Sequence, residues 1–169
     1  GSFYRNGPDP QFPPLGQYHW FGGDGMVHAF HFENGKVSYL NRWSKTSKWL
    51  QERKAGKSLI DGLNPMNSDP QWNPEGSDGT ANTNIIFHAG KLLALEEGHV
   101  PFELDPITLE SKGAYDYGGK LKSPMTAHPK IDPVSGDMYG FSYTAENFFS
   151  SKMSYFVINS AGELKTYEE

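Results

Sequence analysis

Alternation of apolar and polar residues recurs along most of the chain. Residues 26–32 alternate so that Met26, His28, Phe30 and Phe32 share one face of an extended strand. Asn34-Gly35 follows at once, and residues 36–40 resume the pattern. Asn-Gly is the pair that a primed two-residue turn favours, so this stretch predicts a β-hairpin. Further extended runs cover 83–87 and 92–96, joined through His88-Ala89-Gly90-Lys91. Another pair covers 101–104 and 113–117, with a turn at Asp105-Pro106. Asp132 to Gly136 turns the chain into 138–143, and 153–158 runs to a last turn over 159–162. Short strands at this spacing, separated by turn signals, fit a sandwich, a barrel or a propeller. Residues 46–55 break the pattern and predict a helix. Thr46 can cap it, Trp49, Leu50 and Arg53 share a side, and Gly56 stops it. Residues 7–16 are rich in turn formers and are predicted irregular. Residues 61–79 carry proline, asparagine and glycine with little periodicity, and read as a long surface excursion of the kind that covers a site in an enzyme.

Composition agrees with many strands and tight turns, with 19 glycines, 12 prolines and 14% aromatic residues among 169. That length suits one domain. The net charge of −5 comes without any basic run, which leaves no electrostatic footprint for nucleic acid. Cysteine is absent, so disulfides and thiolate ligands are excluded. No run is long enough to span a membrane and no signal peptide is visible, so the expected location is cytoplasmic.

The candidate chemistry centres on residues 122–132, Lys-Ser-Pro-Met-Thr-Ala-His-Pro-Lys-Ile-Asp. Pro129 fixes its own φ and biases His128 towards an extended backbone, while Ala127 leaves room beside the ring. A histidine so held suits a metal ligand, but in a β-rich chain a lone His-Pro is more often a packed or solvated loop histidine. His28 and His31 are poor co-ligands, because an odd spacing on a strand sends them to opposite faces.

In context this stretch is similar to the first iron-histidine segment of the carotenoid cleavage oxygenases. Other segments resemble that family in the same order. They are Arg5-Asn-Gly-Pro8, Tyr18-His-Trp-Phe21 with Gly23-Asp-Gly-Met26, Leu92-Leu-Ala-Leu-Glu-Glu-Gly98, and Phe102-Glu-Leu-Asp-Pro106. The resemblance covers about residues 3–143.

The resemblance implies an all-β fold, a seven-bladed β-propeller of which residues 1–169 supply only the first blades, as one partial domain without an internal boundary. Blades of about 40–50 residues each leave this length short of a closed ring, so the segment alone is expected to be unstable and inactive. The activity implied is that of an Fe(II)-dependent dioxygenase that cleaves a conjugated C=C bond of a carotenoid or apocarotenoid with O2, giving two carbonyl products. A stilbene-cleaving dioxygenase of the same family and a non-catalytic propeller module are the alternatives. In the family, four histidines hold the iron. His128 matches the first, and the other three lie beyond this sequence. Glu97 matches a glutamate that hydrogen-bonds a ligand histidine, generally a different one from that matched by His128. Phe21 falls where the family places an aromatic in the substrate tunnel. Stilbene-cleaving members carry a lysine and a tyrosine where this chain has Glu96 and Leu63, and those departures argue against a phenolic stilbene. Gly22 also departs, standing where the family usually has aspartate. The partners implied are an apolar polyene or stilbene-like molecule and O2, with a peripheral membrane contact for substrate uptake.

Overall fold

The computed structural model describes residues 1–61, 65–143, 145 and 150–169. Among them are eleven strands in three successive antiparallel meanders. The first joins β1 (Ser2–Pro8), β2 (Gly25–Glu33) and β3 (Lys36–Trp43). The second joins β4 (Asn84–His88), β5 (Lys91–Leu95), β6 (Phe102–Leu104) and β7 (Ser111–Ala114). The third joins β8 (Lys130–Ile131), β9 (Met138–Ser142), β10 (Ser154–Ile158) and β11 (Leu164–Glu168). One helix, α1 (Ser47–Ala55), links the first meander to the second. No helix among the described residues is long and apolar enough to cross a membrane.

The hairpin of β2 and β3 turns at Asn34-Gly35, both at positive φ, as the primed turn requires. β1 is a departure from expectation. Its last residues, Gly7 and Pro8, belong to a strand and not to an irregular segment, because β2 offers a complete ladder from Ser2↔His31 to Pro8↔Gly25. The buried face of β2 carries Val27 and Ala29, whereas Phe32 on the other face is half exposed. Small side chains there let β2 approach a core of Leu92, Ala94, Phe102, Leu104 and Leu109. His28 bonds the Tyr39 hydroxyl and His31 the Ser2 hydroxyl, which gives both rings structural roles.

α1 has the expected ends. Thr46 accepts a hydrogen bond from the Trp49 amide, and Gly56 closes the helix at φ 72°. Its buried side differs from the expected one. Trp49 is buried with the Arg53 guanidinium over its ring, Leu50 is exposed, and the remaining inward positions are Lys48 and Glu52. An ionic contact replaces the apolar stripe. Lys48 Nζ lies 2.9 Å from Asp24 Oδ1 and 2.8 Å from Glu52 Oε2, with all three side chains under a tenth exposed.

A second core, including Leu93, Leu95, Tyr117, Met125, Met138 and Phe156, binds the second and third meanders together. Gly140 in β9 passes so close to Phe156 that a Cβ there would lie 2.3 Å from the ring. Met125 and Ala127 are sealed in this core. They anchor the segment that delivers His128.

Candidate functional site

His128 is held through its neighbours. Thr126 N–H donates to the Phe141 carbonyl, Asn84 Nδ2 donates to the Ala127 carbonyl, and the His128 N–H donates to Thr126 Oγ1 at 3.1 Å. These bonds produce a bend at Ala127 and His128, where the sequence predicted an extended run. The bend lifts the imidazole out of the core, and its side chain is 62% exposed.

β5 ends at Leu95, so Glu96 and Glu97 stand in the following turn and not on the strand predicted for 92–96. Strand alternation therefore does not set their directions, although the turn still separates them. Glu97 Oε1 approaches His128 Nε2 at 3.9 Å, an ion-pair distance beyond hydrogen-bond reach. Glu96 turns towards His99 and is hydrogen-bonded to its Nδ1. The Gly98 N–H donates to the other Glu96 oxygen at 3.3 Å. Burial by itself would push the His99 pKa down. The hydrogen bond and charge of Glu96, with the charge of Asp78, outweigh that and raise it. Tyr143 stands near both carboxylates. Its phenol pKa is raised by desolvation and by the charges of Glu97 and Glu96.

Beside Glu96 opens a cleft of about 330 Å³. Phe12, Tyr18, Phe21 and Trp72 line it, and Glu96 and His99 reach it from another side. Phe21 lies on a 3-10 turn, Trp20–Gly22, and is 69% exposed. The turn is clamped from below by buried Asn82, whose Nδ2 donates to the carbonyls of Phe21 and Gly23 at 2.7 Å each. Two residues expected to bind substrate, Phe21 and Glu96, thus share one cleft. The third, Leu63, lies outside the described residues.

Lys48 and Glu52 also line the cleft. Glu52 Oε1 accepts from the Leu59 amide and the Ser58 hydroxyl, and Asp24 Oδ2 accepts from the Gln11 amide. Burial raises the Asp24 pKa, and the Lys48 ammonium offsets only part of that. Sequence reading passed over this group, His99 and Asn82. Lys48 and Glu52 stand four apart on a helix, which is a signal. Asp24 comes from another element, and nothing local announces it.

Iron fits this arrangement in part. The exposed His128 imidazole can supply one ligand, and Glu97 is a carboxylate beside it. Among the described residues no three histidine, aspartate or glutamate side chains converge as a metal site. An iron centre built on His128 would need its other ligands from outside this group.

The sequence pattern of the family described as RPE65, retinal pigment epithelial membrane protein, matches residues 1–169. Lignostilbene-alpha,beta-dioxygenase isozyme III of Sphingomonas paucimobilis is 45% identical over 168 residues, covering 97% of this chain and 34% of the relative. The crystal structure of Pseudomonas brassicacearum lignostilbene dioxygenase superimposes with a TM-score of 0.92 at 41% identity, over 99% of this chain and 35% of that one. A variant of Synechocystis apocarotenoid oxygenase gives 0.80 at 31% identity, over 99% of this chain and 38% of that one. The chain spans about a third of the length of these relatives.

Proposed function

The chain belongs to the carotenoid cleavage oxygenase family and forms the first blades of its β-propeller, and on that premise we propose that the protein is an Fe(II)-dependent dioxygenase that splits a conjugated C=C bond with O2 into two carbonyl products. The observation that carries this reading is the placement of His128, exposed on an anchored bend with Glu97 3.9 Å from its Nε2. Fe(II), when bound, supplies the activation of dioxygen. The residues of this chain bind and orient. His128 contributes an imidazole. Glu97 places a negative charge beside that ring. Phe21 and the aromatic walls of the cleft take the flat face of an unsaturated substrate.

The substrate we favour is an alkene conjugated to an aromatic ring, of the stilbene type. The lignostilbene dioxygenase structure matches this chain more closely than the apocarotenoid oxygenase does, 0.92 against 0.80 in TM-score and 41% against 31% in identity, and we set this above the departures at Glu96 and Leu63, which on sequence alone argued against a phenolic stilbene. A carotenoid or apocarotenoid is the second reading, supported by the apocarotenoid oxygenase match and by the exposed Trp20 and Phe21, which offer a peripheral membrane contact for an apolar polyene.

The intact protein, loaded with Fe(II) and given 18O2, is expected to convert a hydroxystilbene into two labelled aromatic aldehydes and to lose this activity on chelation. Iron-loaded protein that yields no carbonyl product from either a hydroxystilbene or an apocarotenal sinks the dioxygenase reading.

Glu97→Gln is expected to weaken iron affinity or turnover by about 10–100-fold, the usual cost of losing a partner just outside a metal's ligands. Glu96→Gln is expected to leave iron binding unchanged, since its carboxylate faces His99. Iron titration of both variants decides. Loss of iron in Glu96→Gln with retention in Glu97→Gln reverses the assignment.

A further inference from the structure

The cleft beside Glu96 has aromatic walls and one charged corner. Its volume of about 330 Å³ is in the range of small-molecule sites, roughly 300–1,000 Å³. The charged corner is the pair of Glu96 and His99, both more than half buried. Their hydrogen bond uses His99 Nδ1 and fixes the imidazole in one orientation. Nε2 has no hydrogen-bond partner among the described residues. The other cation on the wall, Lys48, already holds Asp24 and Glu52 and is only 8% exposed. His99 therefore offers an open ring nitrogen to a polar group entering this corner.

Gly79 keeps the corner open. It lines the cleft at φ 78°, and a Cβ there would lie 2.2 Å from Glu96 Oε1 and 2.5 Å from His99 Nδ1. Any side chain at that position would push into the pair.

We propose that His99 is a specificity-determining residue of this cleft, whose Nε2 takes the phenolic hydroxyl of a flat aromatic ligand while Glu96 positions the imidazole. The hydroxyl suits both forms of the ring. A neutral imidazole, with Nδ1–H donated to Glu96, accepts the phenol O–H at Nε2. A charged imidazole donates Nε2–H to the phenol oxygen, and the raised His99 pKa favours this form. A methyl ether can only accept, so it keeps the bond from the charged ring and loses the one to the neutral ring, and the hydroxyl is preferred where the ring is neutral. This inference rests on the aryl-alkene reading for the identity of the ligand.

The test is equilibrium binding, in the intact protein without oxygen, of trans-4-hydroxystilbene and its 4-methyl ether. In buffer alkaline enough to keep His99 neutral, the unsubstituted protein is expected to prefer the hydroxyl compound about tenfold, the discrimination of one good hydrogen bond, and to lose that preference as acidification charges the ring. His99→Phe is expected to abolish the preference while still binding the ether, which shows that the cleft survives. His99→Gln, which keeps a donor and an acceptor, is expected to restore part of it. Glu96→Gln is expected to reduce the preference, and Gly79→Ala to weaken both ligands. An undiminished preference in His99→Phe overturns the proposal. So does a failure of the unsubstituted protein to bind either stilbene, and cleavage of an apocarotenal by the same preparation would then show that the dioxygenase reading itself still stands.

Discussion

In the His128→Ala protein, bound iron and turnover fall together, by more than the roughly 10–100-fold that follows loss of an outer partner. In the proposed role of His128, the substitution removes an imidazole from the metal itself and leaves nothing in its place. The fold should not notice. The side chain is 62% exposed, and the three bonds that hold the bend, from Thr126 N–H to the Phe141 carbonyl, from His128 N–H to Thr126 Oγ1 and from Asn84 Nδ2 to the Ala127 carbonyl, involve no atom of the ring. Compared without iron, the two proteins should therefore unfold alike, and any difference between the iron-loaded preparations measures the stabilisation that bound metal supplies. Metal analysis and thermal unfolding of the intact protein, made on the same preparation, check both halves. Full iron content with normal turnover would make His128 an ordinary loop residue.

Lys48→Met is expected to cost about 3–5 kcal/mol of stability, the range for breaking a buried ion pair from one side. Methionine keeps most of the stem's bulk, so little cavity is made. What remains is two carboxylates, Asp24 and Glu52, both about 1% exposed, without their shared cation. Their remaining bonds, from the amides of Gln11 and Leu59 and the hydroxyl of Ser58, do not neutralise charge. The pH dependence gives the cause away. The Asp24 pKa is already raised in the folded state by burial. The folded protein thus binds that proton more tightly than the unfolded chain does. Its contribution is fully present below the unfolded carboxylate pKa and is lost as pH rises through the raised value. Without Lys48, which lowers the Asp24 pKa, the value climbs further. The deficit relative to the unsubstituted protein should be largest near neutral pH and shrink as the buffer is acidified. Denaturant midpoints for both proteins at two pH values test this. A deficit independent of pH would assign the loss to packing instead.

His99 links the candidate site to this ionic group across one cleft, and the two are stabilised in opposite ways. Glu96 and His99 are a pair, so burial is offset within a single contact. Asp24, Lys48 and Glu52 carry one cation between two anions, and burial leaves Asp24 with a raised pKa. Ligand discrimination should therefore follow the first group and the larger stability loss the second: His99→Phe alters binding and costs less on unfolding than Lys48→Met, because Glu96 keeps more contact with solvent than Asp24 or Glu52 does.

Local signals determined a good part of this protein. Asn34-Gly35 turned the hairpin because both residues tolerate positive φ, Thr46 and Gly56 bounded the helix by capping, and the runs expected to be extended at 26–32, 92–96 and 138–143 fall on strands to within a residue at their ends. Ordered motifs around His128 marked the family and the candidate metal ligand. Each of these signals is complete within a few neighbouring residues. Tertiary structure decided the rest. β1 is a strand because β2 lies beside it, and Val27 and Ala29 turn inward because small side chains fit the opposing core. Glu96 and Glu97 diverge through the chain's turn beyond Leu95 and not through strand alternation, because the strand stops before them. Asp24 meets Lys48, and Gly79 meets Glu96 and His99, across separations that no local period spans. Burying a charge depends on which distant segment brings its counter-charge, and that is fixed only when the meanders pack.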